Sequence, residues 1–237
     1  MTTPLVEQNK TAKLMKRIRE DELMDIPLHA QAYAGADFSE PNSQFVAYFS
    51  DKFPTFNGRQ IVDLGCGPAD ITIRLAARYP QARVIGLDGA DAMLDIARNV
   101  ILRHAALADR VEVQRWHIGQ DVYPLGSQTF HAVVSNSLLH HMRDPLDLWR
   151  AIDSCAAPGA AVFVMDLVRP QSCTEAEQIV EKHAGNETDV LRGDFLNSLL
   201  AAYRPAEISS QLASMNMDSL NIEVISDRHL IVFGSMR

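Results

Sequence analysis

Three groups of residues in this chain have types and spacings that could do chemistry. The first is IVDLGCGPAD, residues 61–70, in which a carboxylate, Asp63, stands two positions before a Gly65-Cys66-Gly67 turn. Glycines between a strand and a helix leave backbone N–H groups bare, so a ligand can rest on main chain at the helix N-terminus. The second is Asp88 in VIGLDGADAML, 21 residues after Gly67, where a carboxylate ending a strand can accept both hydroxyl protons of a ribose. The third is the pair His140-His141, just beyond Asn136, with Asp166 further on in VMDLVRP. An imidazole titrates near neutrality and can act as a general base, and a carboxylate can orient it.

The first two groups define a ligand. A dinucleotide site would have glycine or another small residue three positions beyond Gly67, where this chain has Asp70, and Asp63 would repel a pyrophosphate. Asp63 suits an ammonium group instead. The ligand read from these residues has an amine near one end and a ribose in the middle. The histidines leave three readings open: a helix-start feature with one ring packed and one solvated, a catalytic base, or orientation of a substrate. Adjacent helical residues lie about 100° apart, so at most one ring points squarely into a pocket.

The elements that must position these groups follow from hydrophobic periodicity. Strand patterns at Gln60–Leu64, Ala82–Leu87, Arg110–His117, His131–Ser135 and Ala160–Asp166 are separated by helix patterns such as Ile71–Arg78 and Ala92–His104. Such alternation implies parallel crossover units and a sheet covered on both faces. Asp144-Pro145 reads as a helix start, Pro158-Gly159 as a turn before the next strand, and Thr174 with Glu177 as a capping box. Residues 170–217 carry helix patterns without a strand and read as a lid. Leu220, Ile222 and Val224, a turn at 226–228 and Leu230–Phe233 read as a terminal antiparallel hairpin. The result is one domain: a helical N-terminal cap (1–56), a donor-binding core (57–169), the helical lid (170–217) and the hairpin (218–237).

With VDLGCG as its first motif, GLDGADAML as its second and FHAVVSNSLLHHMRDP as its fourth, the sequence resembles the class I methyltransferases that use S-adenosylmethionine. The resemblance covers roughly residues 57–169 and the hairpin. It implies an α/β fold with a Rossmann-like, doubly wound, mainly parallel seven-stranded sheet in the order 3-2-1-4-5-7-6, strand 7 antiparallel. It also implies S-adenosylmethionine as donor and S-adenosylhomocysteine as product. Asp63, Gly65, Cys66 and Gly67 would then surround the methionine part, Asp88 the ribose, Gly89 and Met93 the adenine, with Ser135 and Asn136 closing the site. The third motif is degenerate, because the position that is acidic in relatives falls on Gly119, and Gly119, Gln120 and Asp121 share the adenine amine as candidates. Similarity to some sugar O-methyltransferases of the family carries over His140, His141 and Asp166 as catalytic residues. Tyr33 in QAYAGADF, Arg169 and Tyr203 border the acceptor side.

Composition narrows the partners. With 237 residues, 47% hydrophobic and 22% charged, the chain can bury a core as one domain, alone or as a homodimer. The formal net charge of −8 repels phosphate backbones, so no nucleic acid is expected. No signal peptide or membrane-length apolar run is present, which points to the cytoplasm without a membrane partner. Cys66, Cys155 and Cys173 are scattered and odd in number, so no disulfide and no structural metal are expected. The expected activity is methyl transfer to an oxygen or nitrogen of a small metabolite. The alternatives are a methyltransferase acting on RNA or protein, and a donor-binding partner subunit without transfer activity.

Overall fold

The computed structural model describes residues 15–20, Gly35 and 37–237. Its centre is a seven-stranded sheet of β1 (Gln60–Leu64), β2 (Arg83–Asp88), β3 (Val111–Arg115), β4 (Phe130–Asn136), β5 (Ala156–Leu167), β6 (Leu220–Val224) and β7 (His229–Ser235). Their order is β3-β2-β1-β4-β5-β7-β6. The first five strands run parallel, and β7 is antiparallel to both β5 and β6. This is the architecture the motifs imply.

Burial follows the two-residue alternation of a strand. In β1, Ile61 packs among Phe45 and Phe49 of α1 (Ser39–Lys52), whereas Val62 and Leu64 join Leu148, Trp149 and Ile152 of α4 (Pro145–Cys155) on the opposite face. Both faces are covered, so a parallel strand here must be apolar on both sides, as β1 and β4 are. Helices α2 (Asp70–Arg78) and α3 (Asp91–Arg103) complete the first two crossovers. Chain order reverses between β1 and β4, which opens a crevice at the carboxyl ends of these strands.

Local signals explain most boundaries. Asp144 caps α4 by accepting from the Leu146 N–H at 3.0 Å, with Pro145 in the first turn. Two readings shift. Pro158-Gly159 lies inside a long β5 that starts at Ala156, and the turn chemistry shows as an irregular register between Phe130 and Ala132 of β4 and their β5 partners, with Gly159 at φ 78. The helix α5 (Cys173–Ala184) is capped by Ser172, whose hydroxyl accepts from the Glu175 N–H at 3.2 Å, two residues before the box expected at Thr174.

Three helices, α5, α6 (Asp189–Ala201) and α7 (Pro205–Ser214), occupy the stretch between β5 and β6. They have their own apolar centre around Leu167, Ile179, Val180 and Leu199. The segment 15–20 is laced onto them: the Ile18 N–H donates to the Leu200 carbonyl at 3.0 Å and the Met15 N–H to Gln171 at 3.2 Å. Among the described residues no helix is long and apolar enough to cross a membrane.

The aromatic layer under β1 makes a direct stability prediction. Phe49 is fully buried, with ring centroids of Phe53, Phe56, Tyr79 and Phe163 between 5.2 and 5.8 Å from its own. Phe49→Ala is expected to cost about 3–5 kcal/mol, read as a lowered urea midpoint at unchanged m-value. A loss under about 1 kcal/mol would show that this layer is not structural.

Candidate active site

β1 runs into a turn whose residues cannot follow ordinary backbone geometry. Gly65, Gly67 and Ala69 all have positive φ, at 70°, 50° and 67°. A Cβ on Gly65 would lie 2.9 Å from the Leu138 side chain, whereas one on Gly67 meets nothing within 4 Å. Gly65 is therefore required by close packing and Gly67 by conformation, and the open side of Gly67 faces a cavity of about 490 Å³. The turn is tied to the end of β2. The Gly65 and Cys66 N–H groups donate to the Leu87 carbonyl at 2.7 and 3.1 Å, and the Gly67 N–H donates to Asp88 Oδ2 at 2.8 Å. Asp88 Oδ1 accepts from the Ala90 N–H at 2.8 Å, so the carboxylate is fixed at both oxygens and still faces the cavity.

Asp63 stands behind the turn, 1% exposed, where it accepts the Thr72 hydroxyl at 2.7 Å. Burial pushes its carboxyl up to about 7, against the Thr72 hydrogen bond and with help from the charge on Asp88. Cys66 is buried against Gly86, where a Cβ would come within 2.8 Å of its sulfur. Its thiol is held well above the ordinary value by burial and the two nearby carboxylates, which makes it inert.

The opposite wall is the segment after β4. Asn136 lines the cavity, while the buried Ser135 hydroxyl donates to the Leu64 carbonyl at 2.9 Å and latches β4 to β1. The chain then makes a 3-10 turn, Leu139–His141. His140 and His141 both face the cavity, their rings 4.2 Å apart. Asp166 lies behind His140 and accepts from its Nδ1 at 2.6 Å and from its backbone N–H at 3.3 Å. Burial alone would depress the His140 imidazole, but the charge and hydrogen bond of Asp166 raise it above its usual value, and the same contact outweighs burial to hold Asp166 below the carboxylate range. With Nδ1–H committed to Asp166, Nε2 is the nitrogen left to accept a proton.

The structure thus brings Gly65, Gly67, Asp88, Gly89, Met93, Asn136, His140 and His141 to one cavity, with Asp63, Cys66, Ser135 and Asp166 in the layer behind. It does not bring Gly119, Gln120 or Asp121 there. Gly119, at φ +84, backs onto Asp147, whose Oδ2 would be 2.5 Å from an added Cβ, and Gln120 lies beside it on a separate groove. Asp121 is consumed by the Arg115 guanidinium at 2.8 Å and the His117 N–H at 3.0 Å. Trp116, His117 and Ile118 form the cavity wall instead. Arg169 and Tyr203 are not at the cavity either. Arg169 is buried against the Ala202 carbonyl and Glu207, and Tyr203 stacks under Arg17 at 4.1 Å. Tyr33 lies outside the described residues.

Sequence reasoning missed Glu20. Its Oε1 lies 3.4 Å from His140 Nε2 and 3.2 Å from His141 Nδ1, and the Ser198 hydroxyl donates to it at 3.2 Å. Burial raises its carboxyl, opposed by His140. Arg17 helps seat the segment by donating to the His140 carbonyl at 2.7 Å. In the sequence these residues fall in the mixed-charge start of the expected helical cap, whereas residues 15–20 have no regular structure, so nothing pointed them at the histidines. The cavity is also lined by His183 of α5, by Leu191, Asp194 and Phe195 of α6, by Arg228, and by His229 at the start of β7, the last pushed down to about 4 by burial and Arg228.

Known proteins are similar to this chain in sequence or in fold. Residues 61–160 match the methyltransferase domain family. A trans-aconitate 2-methyltransferase of Methylobacterium radiotolerans is 44% identical over 30% of this chain and 28% of its own length. One from Yersinia pseudotuberculosis is 29% identical over 54% and 45%. The matched stretch therefore spans less than half of either relative. Among solved structures sharing the fold, the plantazolicin methyltransferase BpumL, in complex with a pentazolic analogue and SAH, has a TM-score of 0.64 at 10% identity, covering 89% of this chain and 96% of that one. An O-methyltransferase family protein from Burkholderia thailandensis reaches 0.65 at 18% identity, covering 88% and 59%.

Asp63 makes the pH dependence testable. Its folded-state pKa lies above the unfolded carboxylate value, so its favourable contribution is complete in acid and is lost as pH rises towards about 7. Relative to Asp63→Asn, the wild-type chain is expected to lose up to roughly 4 kcal/mol between pH 4 and 7. Urea midpoints of both proteins across that range check this. A difference that does not vary with pH would contradict it.

Proposed function

We propose that this chain, whose core is a class I methyltransferase domain, moves a methyl group from S-adenosylmethionine to an oxygen or nitrogen of a small metabolite. The observation that carries the reading is the Asp88 carboxylate, fixed by two backbone N–H groups on one wall of a cavity whose other wall holds the Asp166–His140 pair. Solved relatives in complex with SAH support the donor, and curated relatives named for trans-aconitate support a small acceptor. The formal charge of −8 favours this over a nucleic-acid acceptor.

The residues fit the donor's chemistry. Gly67 offers an approach that no Cβ obstructs. Asp88 keeps acceptor capacity at both oxygens for vicinal hydroxyls, and Met93 and Ile118 give an apolar slot for a base. Asp63 supplies a carboxylate behind the turn whose ionised form an ammonium group favours. When bound, the donor supplies an electrophilic methyl on a sulfonium centre. Everything else is alignment and proton handling by the protein. Asp166 holds the Nδ1–H tautomer of His140, and Nε2 accepts the proton of an acceptor hydroxyl. Leu138, Met142, Leu167 and Phe195 narrow the cavity and exclude water around the reacting groups.

Calorimetry tests the donor half. Both S-adenosylmethionine and S-adenosylhomocysteine are expected to bind, and Asp88→Asn to weaken both by about tenfold or more, the size of a lost hydrogen bond to a charged group. Binding of nicotinamide dinucleotides in their place would overturn the reading. For the transfer half, a metabolite extract incubated with isotopically methyl-labelled donor is expected to yield a labelled product. His140→Ala should slow labelling by about 10²–10⁴-fold while donor affinity changes less than twofold. Equal labelling by that variant would remove the base role.

A further inference from the structure

Glu20 lies far along the chain from the neighbouring His140 and His141, yet one ligand atom of each lies within 4.8 Å of the others. The two edges at the carboxylate, 3.4 Å to His140 Nε2 and 3.2 Å to His141 Nδ1, are long for charge-assisted hydrogen bonds. They match the separation of about 3.3–3.4 Å between two ligands that each sit about 2.0–2.1 Å from a tetrahedral zinc ion. The third edge, between the two imidazoles, lies within 4.8 Å, and His141 is the more exposed ring of the two. Outer contacts are in place as well. The Nδ1–H of His140 is held by Asp166 at 2.6 Å, the arrangement that fixes the tautomer of a metal-ligating histidine with Nε2 outward, and the Ser198 hydroxyl orients the Glu20 carboxylate. The side chains of Glu20, His140 and His141 are 15%, 2% and 17% exposed, so these are not loose surface groups that meet by chance.

We propose that Glu20, His140 and His141 form a binding site for a dication of the zinc class, with Asp166 supporting it from behind. Two imidazoles and one carboxylate select zinc, cobalt or nickel over magnesium and calcium, which take all-oxygen shells. Three protein ligands leave a fourth position to solvent. The cation lies between two carboxylates, Glu20 and Asp166, which offset its charge. Occupancy takes up the lone pair of His140 Nε2, so zinc suppresses methyl transfer. That consequence rests on the base role proposed above, whereas the binding does not.

The test uses the full chain stripped of metal, without donor or acceptor. Zinc titrated by calorimetry is expected to bind at one equivalent, and cobalt to give the intense visible absorption of a four-coordinate N/O site that zinc then displaces. Magnesium in excess should displace neither. Glu20→Gln and His141→Gln should each weaken zinc at least about tenfold, and Asp166→Asn by about 10–100-fold. His104→Gln, on an exposed imidazole at the end of α3, should leave affinity unchanged. Circular dichroism confirms that each variant is folded. Absence of saturable binding at one equivalent, or binding undiminished in both Glu20→Gln and His141→Gln, overturns the proposal. Methyl transfer measured in chelator separately tests the base reading, so the two fail independently.

Discussion

The Asp88 carboxylate joins the two turns on which the site depends. One oxygen holds the Gly67 N–H and the other the Ala90 N–H, each at 2.8 Å. The glycine turn after β1 and the start of α3 after β2 are thereby locked to a single side chain. The Leu87 carbonyl strengthens the same seam by accepting from Gly65 and Cys66. Because β1 and β2 are adjacent parallel strands in register, from Gln60 opposite Arg83 to Leu64 opposite Leu87, the sheet delivers both turns to one edge without further adjustment. Remove the carboxylate and the cavity loses its polar anchor and the restraint on its backbone together.

A second constraint is the cost of burying charge beneath that seam. Burial, with the charge on Asp88, raises the Asp63 carboxyl, and burial with both carboxylates raises the Cys66 thiol. The histidine wall is balanced differently. Asp166 and His140 compensate one another inside the protein, each holding the other's charged form.

The fold and the meeting of Gly65, Gly67 and Asp88 at one cavity were legible because they depend on short-range patterns. Strand periodicity, GCG after β1 and an acidic residue at the end of β2 each occupy a few consecutive positions, and the parallel pairing of β1 with β2 brings both turns to one edge. The third motif was not legible. Its register depends on how the loop after β3 packs, and there Gly119 backs onto Asp147 from a distant helix while Asp121 is spent on Arg115 and the His117 N–H. Arg169 and Tyr203 were placed by proximity to the helical insertion, yet an arginine buried by Glu207 and a ring covered by Arg17 serve packing. Glu20 lay beyond any pattern, because its partners are set by tertiary contacts of a segment without regular structure.

The most direct measurement of the central claim is a crystal structure of the chain soaked with S-adenosylhomocysteine. The account requires both ribose hydroxyls within hydrogen-bond distance of the Asp88 carboxylate, with the Gly67 and Ala90 N–H contacts retained. A ligand bound elsewhere, or one whose ribose leaves Asp88 untouched, would contradict it.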